Sequence, residues 1–331
     1  ASLYDFKYYD GKNGAWAEQV VEANGAYYMY CPIHGHGIGV LMSENPYGPF
    51  SDPIGEPLVW QKEHWDDIDP TVLIDDDGQA YMYWGNPNLY SVKLGSDMIS
   101  LAGPIIKHPK IEDYQEGPWI WKHDGHYYLA FASTCCPEGI GYAMSDGPEG
   151  PWEYKGHIMD HTVRTRGNHP GIIEYKGKSY VFGLNYDIMH LKTFAHAEQR
   201  SVSVAEMHYN EDGTIQEVPY FIDNVVEQVK PFNPYRKVEA ETMAWGYGLK
   251  TSYVDPEFVF DPKRGYSARN MYVHGIDNGE YLLVRGVDFG RKGSRKIKAA
   301  IGSDGVGGLE VHIDSPDGRP VSIIPVSPTG G

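Results

Sequence analysis

The fold is decided by the stretch Asp69-Pro70-Thr71-Val72-Leu73-Ile74-Asp75-Asp76-Asp77-Gly78-Gln79-Ala80-Tyr81-Met82-Tyr83-Trp84. An apolar run and an aromatic run flank the turn Asp75-Asp76-Asp77-Gly78, and Asp-Gly supplies the positive φ that tight hairpins need. The stretch therefore predicts a β-hairpin. An ion site in this turn is the alternative, although calcium loops place their ligands at alternate positions and end in a glutamate.

Asp69 stands at the entrance to this hairpin. The proline that follows it, Pro70, biases Asp69 towards an extended conformation, so we expect Asp69 to open the first strand. A strand end is a place where a rigid sheet can present a catalytic group. A capping or solvated aspartate is the alternative interpretation, and from this stretch alone both stay open.

The hairpin pattern occurs four times along the chain. Each copy has a short apolar run, a turn with a glycine and a tyrosine-rich run, and the turn glycines are Gly25, Gly78, Gly125 and Gly177. Intervals of about fifty residues with several strands in each are typical of β-propeller blades. No long stretch shows helical periodicity, so the sequence predicts an all-β fold.

A third strand is repeated as well. The runs 37–43 and 139–145 share a glycine-isoleucine-glycine start and a methionine-serine end, and each precedes a Pro/Gly turn followed by an aromatic residue, Phe50 or Trp152. We expect that aromatic residue to return to the core.

The composition limits the function classes. The chain has 331 residues, 41% of them hydrophobic, and a formal net charge of −17. Such an acidic chain is a poor partner for nucleic-acid phosphates and is compatible with a neutral polysaccharide. No apolar run approaches the roughly 20 residues that span a bilayer, so no membrane association is expected. The three cysteines, Cys31, Cys135 and Cys136, match neither a disulfide framework nor a zinc motif.

The repeats stop near Pro219, and the character of the sequence then changes. Short alternating runs such as 280–285 and 309–313 read as strands of a β-sandwich. The sequence therefore predicts a propeller domain over residues 1–222, a linker over 223–236 and a sandwich over 237–331.

A second carboxylate, Glu116, holds the place in its repeat that Asp69 holds in the preceding one. Equivalent positions of propeller blades converge on the central axis, so the repeat predicts that the two side chains meet. Two carboxylates that share a pocket repel each other and one pKa rises, which suits a glutamate for general acid catalysis. An ordinary loop glutamate is the alternative.

The fourth repeat offers polar residues at the same location. Asn168 and His169 would also face the axis, where His169 could serve a metal, a substrate or only the structure. Arg200 opens a strand at the next turn, and a surface arginine is the alternative interpretation.

These motifs, in this order, resemble glycoside hydrolase family 43, and most closely its arabinoxylan arabinofuranohydrolases, from about Ala15 to Pro219. The resemblance implies a five-bladed propeller and an inverting mechanism. It implies that Glu116 is the general acid and that Asp69 orients the acid and tunes its pKa. It further implies sugar or carboxylate contacts for Asn168 and Arg200, and an aromatic wall of the sugar pocket for Trp16. His169 matches a histidine beside a central calcium ion that is reached partly through water.

The region from Val238 resembles a family 6 carbohydrate-binding module, a jelly-roll-like sandwich. Its opening strand matches residues 238–243, and in that family the opening acidic pair binds a structural calcium ion. Glu239 and Glu241 are therefore candidate ligands. Two glutamates separated by one residue would point the same way on a strand; a solvated strand face is the alternative.

The chain also departs from both families. The general base of family 43 is an aspartate in the first blade; Asp5 and Asp10 lack a matching context, so no base is assigned. Four repeats are present where five are expected, and the module lacks its final strands, so we expect a chain that is incomplete at both ends. Cys135-Cys136 stands where related enzymes place an aromatic residue.

The expected function is secreted, inverting removal of terminal α-L-arabinofuranose from arabinoxylan. A β-xylosidase, or an enzyme that acts on both sugars, is the nearest alternative. A sugar-binding propeller without catalysis is the alternative from another class.

Overall fold

The computed structural model describes residues 6–8, 15–62, 66–162, 168–185, 201–221, 226–253, 260–261, 266–267 and 271–330. Over these residues the protein is all-β: they form strands, turns and bends and contain no helix. Accordingly, they contain no helix that is long and apolar enough to cross a membrane. The chain separates into two compact units, one of residues 1–227 and 255–270 and one of residues 228–254 and 271–331.

The first unit contains four antiparallel sheets in which the strands follow each other in chain order. The first sheet has three strands, β1 (Gln19–Ala23), β2 (Ala26–Pro32) and β3 (Ile38–Ser43). The second has four, β4 (Thr71–Ile74), β5 (Ala80–Trp84), β6 (Tyr90–Lys93) and β7 (Ile106–Lys107). The third also has four, β8 (Tyr114–His123), β9 (His126–Ser133), β10 (Ile140–Ser145) and β11 (Glu153–Met159). The fourth has three, β12 (Gly171–Tyr175), β13 (Lys178–Asn185) and β14 (Ser201–Met207).

Each sheet is built on one of the four hairpins that the sequence predicts. Strands β1–β2, β4–β5, β8–β9 and β12–β13 pair across the four turn glycines. All four glycines have a positive φ, from +74° to +84°. Because only glycine adopts this conformation without a steric penalty, the repeated glycines mark the turns reliably. The predicted third strands are confirmed as β3 and β10.

Successive sheets pack face to face. One apolar cluster joins the first and second sheets around Trp84, a second joins the second and third around Phe131, and a third joins the third and fourth around Val181. Of the two aromatic residues that follow the Pro/Gly turns, Trp152 packs against the cluster between the second and third sheets, and Phe50 belongs to a separate cluster with Cys31 and Leu41 of the first sheet. The burial of this aromatic and aliphatic surface, at about 25 cal/mol per Å², holds consecutive sheets together.

The described strands outside these four sheets pair two by two: β15 (Trp245–Tyr247) with β20 (Tyr281–Leu283), β16 (Lys250–Tyr253) with β19 (Met271–His274), β17 (Phe260–Asp261) with β18 (Tyr266–Ser267), and β21 (Gly307–Val311) with β22 (Ser322–Val326). Strands were predicted at β20 and β21, and the structure confirms them.

The prediction of a strand over residues 238–243 is wrong. The Thr242 N–H donates to the Glu239 carbonyl at 3.0 Å, so the backbone closes a turn. Glu239 and Glu241 therefore do not share a strand face. The Glu239 carboxylate instead lies 2.8 Å from the Lys237 ammonium.

Candidate active site

The site lies where β4 and β8 begin. Asp69 is buried just before β4, with 3% of its surface exposed. Its φ is +58°, so the prediction of an extended Asp69 is wrong. Aspartate is among the few residues that tolerate this left-handed region. The conformation is held from both sides, because the Gly85 N–H donates to the Ile68 carbonyl at 2.9 Å and the Gly117 N–H donates to Asp69 Oδ2 at 3.1 Å.

The two aspartates that precede this position anchor the segment. Trp84 Nε1 donates to Asp67 Oδ1 at 2.8 Å, and the Tyr90 hydroxyl donates to Asp66 Oδ2 at 3.2 Å. Both donors belong to the same sheet as β4. The three aspartates therefore have different roles: the carboxylates of Asp66 and Asp67 fix the backbone to the sheet, and Asp69 faces the neighbouring sheet.

Glu116 lies within β8, in an irregular part of the strand. The register with β9 shifts twice, once between Tyr114 and Glu116 and once between Glu116 and Trp119. Each shift is a β-bulge, which changes the direction of a side chain without ending the strand. Glu116 keeps 22% of its side chain exposed, so the carboxyl group is reachable from solvent.

His169 brings the two carboxylates into one cluster. Its Nε2 atom lies 3.4 Å from Glu116 Oε1 and 3.9 Å from Asp69 Oδ2. One ligand-type atom from each of the three residues lies within 4.8 Å of the others. The sequence-based prediction that Asp69, Glu116 and His169 converge is therefore met in the placement of the side chains.

Gly117 makes this convergence possible. A Cβ atom at this position would lie 2.7 Å from His169 Cγ, and the residue has a φ of +58°. Its N–H group is also the one that binds Asp69. Glycine at this position thus serves three needs at once: the bulge, the close approach of the imidazole and the hydrogen bond to the buried aspartate.

Asn86 is a site residue that sequence reasoning missed. Its Nδ2 donates to Glu116 Oε2, and its Oδ1 accepts a hydrogen bond of 3.2 Å from Gln115 Nε2. The residue follows the end of β5, at the same edge of the sheet as Asp69. That position is the only signal in the sequence that could have identified it.

Asn168 is fully buried and supports the segment that carries His169. Its Oδ1 accepts the Leu184 N–H at 2.9 Å, and its own N–H donates to Glu138 Oε2 at 2.8 Å. Asn168 Nδ2 is buried and has no hydrogen-bond partner among the described residues. Glu138, which is also buried, was not predicted; contact of Asn168 with a sugar stays a prediction.

Trp16 and Arg200 complete the set of residues predicted for this site. Trp16 is 49% exposed and stacks on His34, with ring centroids 4.6 Å apart. Arg200 lies outside the described residues, as do Asp5 and Asp10. Cys135 and Cys136 are joined as an adjacent pair, which the sequence analysis did not expect.

The opposite end of β4 has a different character. The Asp75 N–H and carbonyl close the predicted hairpin turn with Gln79 and Gly78, at 3.0 and 2.9 Å. Asp75 Oδ1 accepts from Lys122 Nζ at 2.7 Å, and Asp75 Oδ2 accepts from the Tyr127 hydroxyl at 2.6 Å. These partners support the hairpin interpretation of the acidic turn over the ion site.

Chemically, the cluster of Asp69, Glu116 and His169 combines like charges with an imidazole. Carboxylates crowded in a partly buried site favour the binding of a proton. A solvent-reachable carboxyl group beside a buried carboxylate can therefore hold a proton and deliver it to a group that enters from solvent.

Two protein-family models match this chain. Residues 5–215 match the family model described as glycosyl hydrolases family 43, and residues 239–331 match carbohydrate binding module (family 6). An arabinoxylan arabinofuranohydrolase of Paenibacillus polymyxa is 32% identical over 96% of the chain, which spans only 54% of that protein. A xylosidase/arabinosidase of Bacteroides ovatus is 30% identical over 60% of the chain and 72% of its own length.

A solved structure extends the likeness to both units. The crystal structure of a family 43 arabinoxylan arabinofuranohydrolase from Bacillus subtilis is 31% identical, with a TM-score of 0.72. The match covers 96% of this chain and 71% of that one.

Proposed function

The chain belongs to glycosyl hydrolases family 43, and on that premise we propose that it removes terminal α-L-arabinofuranose from arabinoxylan by an inverting mechanism. The observation that carries this proposal is the cluster in which His169 Nε2 lies 3.4 Å from Glu116 and 3.9 Å from Asp69. The names of the Paenibacillus and Bacillus relatives support the choice of glycone and polymer.

Glu116 is the proposed general acid because it is the more exposed carboxyl group of the pair. Its side chain is 22% exposed, whereas that of Asp69 is 4% exposed. Glu116 would protonate the glycosidic oxygen as the bond to the sugar breaks. Asp69 would act through position: it binds the Gly117 N–H and thereby fixes the bulge that presents the acid.

The proposed mechanism also needs a general base. An inverting glycosidase activates a water on the opposite face of the sugar with a second carboxylate, about 6.5–9.5 Å from the acid. We assign no residue to this role. The early aspartates Asp5 and Asp10 lie outside the described residues.

We further propose that the four stacked sheets are blades of a five-bladed propeller and that the second unit is a carbohydrate-binding sandwich. The chain order of the sheets and the two family matches support this architecture. We expect the protein to act outside the cell, where polymeric plant xylan is encountered.

Calcium is a further part of the proposal, and the two predicted sites differ in how well they fit. Calcium prefers six to eight oxygen ligands. The described donors beside His169 are the two carboxylates of the proposed acid site, Asp69 and Glu116, and calcium near His169 stays a prediction. In the second unit, Glu241 Oε2 is buried and has no hydrogen-bond partner among the described residues, which fits a cation ligand.

A β-xylosidase is the second candidate, because the Bacteroides relative carries both activities in its name. The test is product analysis of the full chain on arabinoxylan and on xylobiose. We expect arabinose from arabinoxylan and no cleavage of xylobiose. Xylose from xylobiose would support the second candidate, and the absence of any sugar release would support a protein that only binds sugar.

A further inference from the structure

A second cluster of ligand-type side chains lies on the third sheet. Asp113, His157 and His161 each offer one atom, and these atoms all lie within 4.8 Å of one another. Asp113 Oδ2 is 2.9 Å from His157 Nε2 and 3.7 Å from His161 Nε2. The cluster shares no residue with the one formed by Asp69, Glu116 and His169.

Irregular backbone brings these three residues together. Asp113, just before β8, has a φ of +60°, a conformation that is costly outside glycine and is often retained where a side chain must be aimed. The register of β10 with β11 shifts on both sides of His157. These bulges turn the His157 side chain out of the regular alternation of the strand.

A carboxylate behind the two imidazoles completes the arrangement. Asp160 Oδ1 lies 3.1 Å from His161 Nδ1 and 3.8 Å from His157 Nδ1. Both rings therefore present Nε2 to Asp113 and Nδ1 to Asp160. In metal sites, a histidine ligand nearly always donates its second ring N–H to a carboxylate, a carbonyl or a water; of these two rings, that of His161 lies within hydrogen-bond distance of Asp160.

Ser133 lies against the Nε2 atom of His161. Ser133 Oγ accepts the Gly139 N–H at 2.7 Å and lies 3.0 Å from His161 Nε2. Nδ1 of the same ring lies 3.1 Å from Asp160 Oδ1. An ion bound at His161 Nε2 would therefore take the place of the hydrogen bond with Ser133, because this nitrogen has a single lone pair in the ring plane.

Asp113 is held in a fixed position by a backbone hydrogen bond. The Thr134 N–H donates to Asp113 Oδ1 at 3.2 Å, which leaves Oδ2 directed at the two imidazoles. The side chains of Asp113, His157 and His161 are 19%, 21% and 34% exposed, so an ion could enter from solvent and keep a water ligand.

We propose that Asp113 Oδ2, His157 Nε2 and His161 Nε2 form a binding site for a divalent transition-metal ion such as zinc. Two imidazoles and one carboxylate are the donors that zinc accepts, at about 2.0–2.2 Å, and a water would complete the tetrahedron. Binding through Nε2 requires His157 to carry its proton on Nδ1, which faces Asp160. Calcium is a poor match, because it prefers oxygen ligands.

The test is zinc titration of the full chain after treatment with EDTA, in the presence of excess calcium, by calorimetry. We expect one tight site, with Co²⁺ in place of zinc giving the visible absorption bands of a tetrahedral ion. The double variant His157→Gln/His161→Gln should lose the site. Asp160→Asn should weaken binding about 10–100-fold, since it changes only the residue behind the ligands.

Two controls assign the ion to this cluster. His126→Gln alters an exposed histidine of the same sheet, and His169→Gln alters the candidate active site; both should bind zinc as the wild type does. Equal zinc binding by the wild type and the double variant, or no zinc binding by the wild type, would overturn the proposal. If the double variant does not fold, Asp113→Asn and Asp160→Asn decide the question.

Discussion

Strands β4 and β8 lie side by side, and their two ends differ in charge. The Ile120 N–H of β8 donates to Thr71 Oγ1 of β4 at 3.3 Å, which links the strands between the ends. At one end, two acidic residues, Asp69 and Glu116, meet around an imidazole. At the other end, Asp75 meets the ammonium of Lys122.

The comparison separates structural carboxylates from the candidate catalytic ones. Opposite charges that form hydrogen bonds stabilise a turn, and this structural role accounts for the carboxylate of Asp75. Like charges in a partly buried place cost free energy unless they bind a proton or a cation. A like-charged pair at one end of two strands, where the other end pairs its buried carboxylate with a lysine, indicates chemistry at the first end.

The largest effect is expected for Glu116→Gln. Loss of a general acid reduces turnover about 10²–10⁴-fold, whereas the fold should persist because glutamine keeps the shape of the side chain. The measurement is arabinose release from arabinoxylan together with thermal unfolding. Glu112→Gln, an exposed position of the same segment, is the control. Equal activity of the wild type and Glu116→Gln would remove the catalytic assignment.

The next effect is expected for Gly117→Ala. The added Cβ would meet His169 at 2.7 Å and would have to accept a φ of +58°, so we expect a loss of about 2–3 kcal/mol in the free energy of unfolding, together with reduced activity. Gly177→Ala is the matched control, because its φ is +74° but a Cβ there meets nothing within 4 Å. It should cost about 1 kcal/mol and leave activity unchanged. Equal losses in both variants would show that the close approach is unimportant.

The smallest effect concerns the other end of β4. Burial alone would raise the pKa of Asp75, but hydrogen bonds from Lys122, Tyr127 and the Asp76 N–H hold this pKa below its usual value. A carboxylate with a lowered pKa stabilises the folded protein above the ordinary aspartate pKa, and this contribution is lost as the pH falls through the folded-state value.

Asp75→Asn should therefore lower the midpoint of thermal unfolding by about 2–4 °C at pH 7, and the difference should shrink below about pH 4. Activity should not change. Asp76→Asn, whose carboxylate binds the same lysine from an exposed position, is the control and should have a smaller effect. A difference that stays constant down to acid pH would show that the charge of Asp75 is not responsible.

Much of this arrangement could be predicted from the sequence, because the repeat itself carries the information. Turn glycines fix the hairpins, and equivalent positions of successive sheets place Asp69 and Glu116 near each other. The acidic turn was also correctly interpreted, since Asp-Gly has a local conformational preference.

The rest depends on contacts that no local pattern encodes. The positive φ of Asp69 is set by hydrogen bonds to residues far along the chain, and these override the preference that Pro70 imposes. The contact of Gly117 with His169 and the hydrogen bond from Asn86 to Glu116 are likewise long-range. Asp113 and His157 are 44 residues apart, so their meeting has no spacing signature.

The two bulges of β8 determine which deletions this strand can tolerate. Each inserts one residue, so together they restore the alternation of the strand: Tyr114 and Ile120, on either side of them, share one apolar cluster, while Trp121 packs into another. Deletion of one inserted residue would turn the side chains on one side of the deletion to the opposite face of β8. Both apolar clusters would then be disturbed. Removal of both would keep the packing and withdraw only the presented glutamate. A matched pair of deletions in β8 would thus remove the proposed general acid and leave both apolar clusters in place.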